Sequence, residues 1–234
     1  MINVDEVFQS VRALIRKDKG GYITNAEFNR ISVLAETMLW NFWAQQFDKT
    51  QSVPTALRPF ITKPEDDLYV GDEGNVELPD NFGRLLGIQY GVVTNSAANT
   101  SVTAYYPSQP CHESEISNLK YSAVRGPSLA RKRFYHVLTG DYLTTYPAHA
   151  GNVVSIRYLA IPTFAVRGVT TDSTNDQENY SSGTSTNYMW PDSELNNLID
   201  VILLHYGMSI RESELVSWVQ TQRGIAAGSA AQTI

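Results

Sequence analysis

The sequence lacks most features that stabilise secreted proteins or place proteins in membranes. Of its 234 residues only Cys111 is a cysteine, so no disulfide can form within the chain. Stability must come from packing or assembly, and a single thiol fits a reducing cytoplasm. No apolar run approaches the roughly 20 residues that span a bilayer, and the first ten residues lack a basic and an apolar region. We therefore expect no membrane insertion and no export signal.

Motifs for catalysis or cofactor binding are equally scarce. The sequence contains no nucleophile elbow, P-loop or dinucleotide fingerprint. Cys111 and His112 form the only adjacent pair of soft metal ligands, whereas a zinc site needs four ligands, commonly in closely spaced pairs. We expect a protein that is not an enzyme, with no catalytic residues, no cofactor and no metal.

Positive charge is limited as well. The sequence contains 18 Lys and Arg residues and 24 Asp and Glu residues, which gives a net charge of -6. This balance argues against nucleic-acid binding by the whole surface. Residues 65–80 contain carboxylates but no Lys or Arg, which predicts an acidic loop facing solvent or a channel. The residues assigned to this loop are Glu65, Asp66, Asp67, Asp72 and Glu73.

The strongest structural signal lies in residues 22–47. Thr24 and Glu27 have the spacing of a capping box, and Ile23 and Phe28 that of a hydrophobic staple. Apolar residues then recur every three or four positions, which predicts an amphipathic helix. The predicted buried stripe consists of Phe28, Ile31, Leu34, Ala35, Met38, Leu39, Phe42 and Phe47.

Two groups of residues are candidates for contacts with other chains. Trp40 and Trp43 lie beside the apolar stripe and are predicted at a helix or subunit interface, with burial in the monomer as the equal alternative. The densest basic cluster is predicted to make subunit contacts, and contact with DNA phosphate is the less favoured alternative. Its members are Arg125, Arg131, Lys132 and Arg133.

Helical patterns at both ends of the chain enclose a region of short strand patterns. This order predicts an α+β protein in which N- and C-terminal helices form a bundle and an antiparallel β module, a sandwich or small barrel, is inserted. The expected division is a helical bundle at 1–50 and 191–222, a β module at 65–165, a long flexible loop at 166–190 and a C-terminal tail at 223–234.

Three segments resemble head-to-tail connector proteins of tailed bacteriophages, the adaptor or ring proteins beneath the portal. VDEVFQSVRALIRKDKGGYITNAEFNRI is similar to the opening of structural proteins from phages that include the crAss-like phages. VELPDNFGRLLGIQY is similar to a turn-and-strand element of adaptor and tubular tail proteins, although Asn81 interrupts the usual Asp–Phe adjacency. VVSIRYLAIP is similar to an edge strand of the same proteins.

The resemblance implies a virion component without enzymatic activity. Connector proteins of this family form rings, commonly of twelve copies. The rings line the DNA channel and join the portal protein to the next tail or ring protein. DNA passes through such a ring transiently and without sequence specificity. The implied location is the head-to-tail junction of the virion, after synthesis in the host cytoplasm.

Two other classes of function remain as alternatives. A carbohydrate- or receptor-binding β module would use tyrosines as stacking groups, and a hydrolase would use the carboxylates at 65–80. The tyrosines available for stacking are Tyr105, Tyr106, Tyr121, Tyr135, Tyr142 and Tyr146.

Overall fold

The computed structural model describes residues 1–19, 22–96, 99–140, 142–171 and 178–209. These residues form an α+β protein with two compact units. The helical unit comprises Met1–Phe60 and Pro162–Ile234, and the sheet unit comprises Ile61–Ile161. Within the described part of the chain, no helix has both the length and the apolar character needed to cross a membrane.

The first two helices begin at residues whose side chains cap them. Thr24 Oγ1 accepts from the Glu27 backbone N–H and the Glu27 carboxylate accepts from the Thr24 N–H, which confirms the predicted capping box. Asn3 caps the first helix by accepting from the backbone N–H of Asp5. The described α-helices are α1 (Val4–Lys19), α2 (Asn25–Thr50), α3 (Glu113–Lys120) and α4 (Leu195–Ser209).

The sheet unit is built around one curled, mixed sheet of eight strands. The strands are β1 (Ile61–Thr62), β2 (Leu68–Tyr69), β3 (Asn75–Glu77), β4 (Phe82–Ser96), β5 (Asn99–Pro110), β6 (Phe134–Thr139), β7 (Tyr142–Tyr146) and β8 (Val153–Ala160). They lie in the order β1–β8–β4–β5–β6–β7–β3, and β2 also pairs with β8. Two further strands, β9 (Val169–Thr171) and β10 (Glu178–Tyr180), form an antiparallel pair in the helical unit.

Apolar and aromatic side chains fill the concave core of the sheet unit. Val154, Ile156 and Tyr158 of β8 are buried together, as expected from the alternation of this strand. Phe134 stacks between two tyrosines, with ring centroids 4.5 Å from Tyr90 and 5.5 Å from Tyr106. The aromatic stack therefore links the long β4–β5 hairpin to β6.

The predicted architecture is wrong, although the α+β class is that of the structure. β5 and β6 are parallel, with Ser108 opposite Phe134, so the sheet is mixed and is neither an antiparallel sandwich nor a closed barrel. A parallel pair needs a crossover of a dozen or more residues, which residues 111–133 and α3 supply.

The N- and C-terminal helices do not form a clear bundle either. α4 packs against α1 and α2, but Ala165 and Tyr188 also contact α2. Residues 166–190 were expected to form a flexible loop, and the described part of this segment contains β9, β10 and the fully buried Tyr188 and Trp190. The part of the expected helical bundle at 210–222 and the expected tail at 223–234 lie outside the described residues.

Candidate functional site

The basic cluster predicted from the sequence occupies one loop of the sheet unit. This basic loop, residues 120–133, starts at the end of α3 and leads into β6. It contains five Lys and Arg residues and no Asp or Glu. The structure therefore brings Arg125, Arg131, Lys132 and Arg133 into one connected segment and adds Lys120 to them.

An open depression of about 540 Å³ lies against this loop. Two arginines, Arg125 and Arg133, are among the residues that line it. The other lining residues come from β5, α3, the basic loop and β6. We call this depression the arginine pocket, and its lining residues are Gln109, Leu119, Val124, Arg125, Arg133 and Tyr135.

Hydrogen bonds within the sheet unit hold the backbone of the basic loop in place. The Tyr135 hydroxyl donates to the Arg125 carbonyl at 2.9 Å. Ser128 and Arg133 exchange two backbone hydrogen bonds of 3.0 Å, and Arg131 Nη1 donates to the Ala123 carbonyl. The middle of the loop and its end at Arg133 are thus held by hydrogen bonds.

The cations of the loop have different surroundings. The Lys120 ammonium lies 4.6 Å from the ring centre of Tyr146, and the Lys132 ammonium lies 5.0 Å from that of Tyr106. Among the described residues, no carboxylate lies within ion-pair distance of Arg125 or Arg133. The positive charge in the arginine pocket is therefore not compensated by this part of the chain.

The predicted acidic loop divides into two exposed groups. Glu65 and Asp66 are exposed between β1 and β2, and Asp72 and Glu73 are exposed in the turn before β3. Asp67 differs from the others, since it accepts a hydrogen bond from Tyr105 and lies 3.8 Å from the Lys63 ammonium. Four of the five predicted carboxylates are thus free to face water.

The two tryptophans on α2 have different environments. Trp40 is buried, whereas Trp43 is half-buried and its indole N–H donates to the Glu194 carboxylate at 3.1 Å. Asn197 donates to the same carboxylate oxygen at 2.9 Å. Each tryptophan is therefore tied to the interior of the helical unit, and whether either also contacts another chain stays a prediction.

The buried face of α2 differs from the predicted stripe. Leu34, Met38 and Phe42 are 51%, 40% and 49% exposed, while Ser32 and Glu36 are completely buried. The first three lie four residues apart and form a continuous row along the helix, which we call the α2 row. Hydrophobic spacing alone could not distinguish the two faces, because the buried face carries polar side chains with distant partners.

Those polar side chains form a buried cluster. Ser32 and Tyr188 hydroxyls are 2.6 Å apart, and Glu36 Oε1 accepts from the Ala165 N–H at 2.7 Å. Glu36 Oε2 has no hydrogen-bond partner among the described residues. Burial raises the pKa of Glu36 to about 7, against the opposing effect of the Ala165 hydrogen bond.

A second buried charge, Arg167, joins the 162–190 segment to α1 and α2. Its Nε donates to Asp5 at 2.7 Å, and its Nη1 donates to the Asn25 side chain at 3.0 Å. The guanidinium carbon also lies 4.1 Å from the ring centre of Phe8. A polar pocket of about 370 Å³ beside it contains Arg12, Tyr22 and Glu178.

The nearest approach to catalytic geometry is the pair formed by Ser108 and His136. Ser108 Oγ and His136 Nδ1 are 3.0 Å apart, which is hydrogen-bond distance for a nucleophile and its base. Burial lowers the pKa of His136 to about 4, so the imidazole is a weak base and is shielded from substrate. In the described part of the chain, no three His, Cys, Asp or Glu residues are grouped as metal ligands.

The tyrosines of the carbohydrate-binding alternative do not share one environment. Tyr121 is 91% exposed and Tyr142 is exposed, whereas Tyr106 is half-buried and stacks on Phe134. Tyr135 lines the arginine pocket and Tyr146 lies under Lys120. These positions give no single flat platform for a sugar ring.

Comparison with known proteins returns no match, either to a model of a protein family or to a curated protein. A functional proposal must therefore rest on the residues and geometry of the chain itself, together with the sequence resemblance.

Proposed function

We propose that this chain is a virion structural protein, a ring-forming head-to-tail adaptor beneath the portal of a tailed phage. Three segments in the expected order support this, at residues 4–31, 76–90 and 153–162. In this proposal about twelve copies close into a ring by one repeated, heterologous contact. The ring joins the portal protein to the next tail or ring protein, lines the DNA channel and catalyses no reaction. The protein is made in the host cytoplasm and acts at the head-to-tail junction.

The observation that carries the proposal is the α2 row. Three large apolar side chains stand exposed in succession on one side of a 26-residue helix. Contiguous exposed apolar surface favours burial against another chain, since it gains free energy by leaving water. Phe42 also meets Trp43 edge to face at 5.1 Å, which extends the apolar surface toward the tryptophan. We propose a second copy in the ring as the occupant of this surface.

The acidic loop supports a place beside passing DNA. Exposed carboxylates repel phosphate groups, so a channel wall that carries them releases DNA readily. Glu65, Asp66, Asp72 and Glu73 have the exposure that this role requires. A density map of the assembled ring tests the point, because carboxylates on the outer wall would exclude a channel-facing role.

The mass of the assembly tests the proposal as a whole. Purified protein would be measured by native mass spectrometry alone and after mixing with the portal protein of the same virus. We expect the portal complex to gain about twelve chains of 26.1 kDa each. A chain that stays monomeric and leaves the mass of the portal unchanged would contradict the adaptor function.

A further inference from the structure

We propose that the arginine pocket binds a phosphate group, supplied either by a free nucleotide or by the backbone of a nucleic acid. This assignment gives Arg125 and Arg133 a ligand in place of the subunit contact expected from the sequence. It does not depend on ring assembly, because every lining residue belongs to the sheet unit of one chain.

The basic loop carries a local excess of positive charge. Residues 120–133 carry five cations and no carboxylate, although the whole chain has a net charge of -6. Arg125 and Arg133 add to this excess without an acidic partner among the described residues. Such a concentration of charge on an otherwise acidic protein attracts anions to one place rather than to the whole surface.

Hydrogen bonds preorganise the backbone at Arg125 and Arg133. The backbone of Arg125 is held by the Tyr135 hydroxyl, and its N–H donates to the Ser122 hydroxyl at 3.0 Å. Arg133 is held by its paired hydrogen bonds with Ser128. Because the two arginine backbones are fixed before a ligand arrives, less conformational entropy is lost when an anion binds between the side chains.

The lining of the arginine pocket has the chemistry that a phosphate group requires. A guanidinium presents a planar fork of donors that fits phosphate oxygens in pairs. Gln109 adds an amide that can donate to a further oxygen, while Leu119 and Val124 supply an apolar wall. A volume of about 540 Å³ is in the range of small-molecule sites and exceeds the need of one phosphate. The pocket therefore has room for a sugar or base beside the phosphate.

Binding of defined probes to the full chain tests the proposal. The probes are inorganic phosphate, deoxyadenosine monophosphate, glutarate as a dicarboxylate, and a short fluorescein-labelled duplex DNA. We expect the phosphate probes to bind and Arg125→Gln or Arg133→Gln to weaken binding by about tenfold or more, as loss of a charge-assisted hydrogen bond predicts. Binding of the mononucleotide without the duplex identifies a nucleotide site, and preferential binding of the duplex identifies a nucleic-acid backbone.

Lys132→Gln is the matched control, because it removes one positive charge from the same loop without changing the pocket lining. We expect it to weaken binding by about twofold, since only the long-range attraction is reduced. Equal losses in all three variants would show diffuse electrostatic attraction and overturn the proposal. Absence of binding by every phosphate probe, or glutarate binding as tightly as inorganic phosphate, would overturn it too. Neither guanidinium bonds to a described residue, so both Gln variants retain the loop's hydrogen bonds.

Discussion

The two units of this protein differ in whether they bury carboxylate and guanidinium groups. The helical unit buries Glu36, Arg167 and Glu194. In the described part of the sheet unit, the buried polar side chains are those of His136, Thr145 and Asn152, and none of them is a carboxylate or a guanidinium. The Asp, Glu, Lys and Arg side chains in the described part of the sheet unit are instead exposed or partly exposed.

The difference follows from what each unit has to hold. The sheet unit joins strands whose alternating apolar side chains form one core, so hydrophobic burial suffices. The helical unit must hold residues 162–190, which contain few large apolar side chains, against α2. It does so with polar contacts at Ala165, Arg167 and Tyr188. We therefore expect truncation of apolar side chains to destabilise the sheet unit most. Loss of single polar partners should destabilise the helical unit most.

Phe134→Ala should have the largest effect. Phe134 is buried between Tyr90 and Tyr106, so its removal leaves a cavity and is expected to cost about 3–5 kcal/mol of the free energy of unfolding. Faster amide hydrogen exchange in peptides of the sheet unit would show it. Leu138→Ala, on the exposed side of the same strand, should cost less than about 1 kcal/mol. Similar losses in both variants would refute the aromatic stack as the centre of this core.

Arg167→Ala should be the most damaging polar substitution. It removes the donor to the Asp5 carboxylate and to the Asn25 side-chain oxygen, and it is expected to cost about 3 kcal/mol, because Asp5 keeps some contact with water. No tryptophan occurs between residues 61 and 161, so tryptophan fluorescence during urea unfolding follows the helical unit. Arg157→Ala, at an exposed position of β8, is the control and should change stability by less than about 0.5 kcal/mol. Equal midpoints for the two variants would contradict the anchoring role of Arg167.

Glu36→Gln should stabilise the protein, and only at higher pH. The pKa of Glu36 rises from 4.5 to about 7 on folding, so the folded state holds the proton more tightly than the unfolded state. Wild-type stability is therefore lost as pH rises from 4.5 to 7, and the neutral variant escapes this loss. We expect the variant's advantage to grow by about 2–3 kcal/mol between pH 5 and pH 8. Urea midpoints that differ equally at both pH values would contradict this.

Ser32→Ala should have the smallest effect. The variant loses the hydroxyl contact with Tyr188 and leaves a buried phenol without that partner, which is expected to cost about 1 kcal/mol. Ser10→Ala provides the control, since Ser10 is exposed and bonds only within its own helix. If thermal unfolding shows no difference between these variants, the hydroxyl pair adds nothing to the attachment of the 162–190 segment.

The sequence predicted those parts of the fold that depend on neighbouring residues. The capping box at Thr24 and Glu27 follows from local spacing, and the structure confirms it. The parallel pairing of β5 and β6 was missed because we predicted an antiparallel module, in which turns join neighbouring strands. The helical pattern at Glu113–Lys120 was the signal of a crossover, since parallel strands are joined by such helices.

In the candidate sites too, residues close together in sequence could be predicted, and contacts between distant residues could not. The basic cluster is continuous in sequence, so its residues could be named beforehand, whereas Gln109 and Leu119 enter the pocket from other elements. The α2 row was assigned to the core because its apolar residues recur at helical spacing, whereas the buried residues Ser32 and Glu36 are polar. Their partners, Tyr188 and Ala165, lie more than 120 residues away in the chain, and local periodicity carries no information about such contacts.

The mass of portal complexes formed by two neighbouring variants tests the assembly role of the α2 row most directly. Met38→Glu places a carboxylate in the row, whereas Thr37→Glu places the same group at the adjacent exposed position outside it. We predict that Thr37→Glu retains the full mass of the complex and that Met38→Glu loses the added chains, because burying a carboxylate at an apolar contact is unfavourable. Complexes of equal mass from both variants would contradict the claim that this row joins one copy to the next.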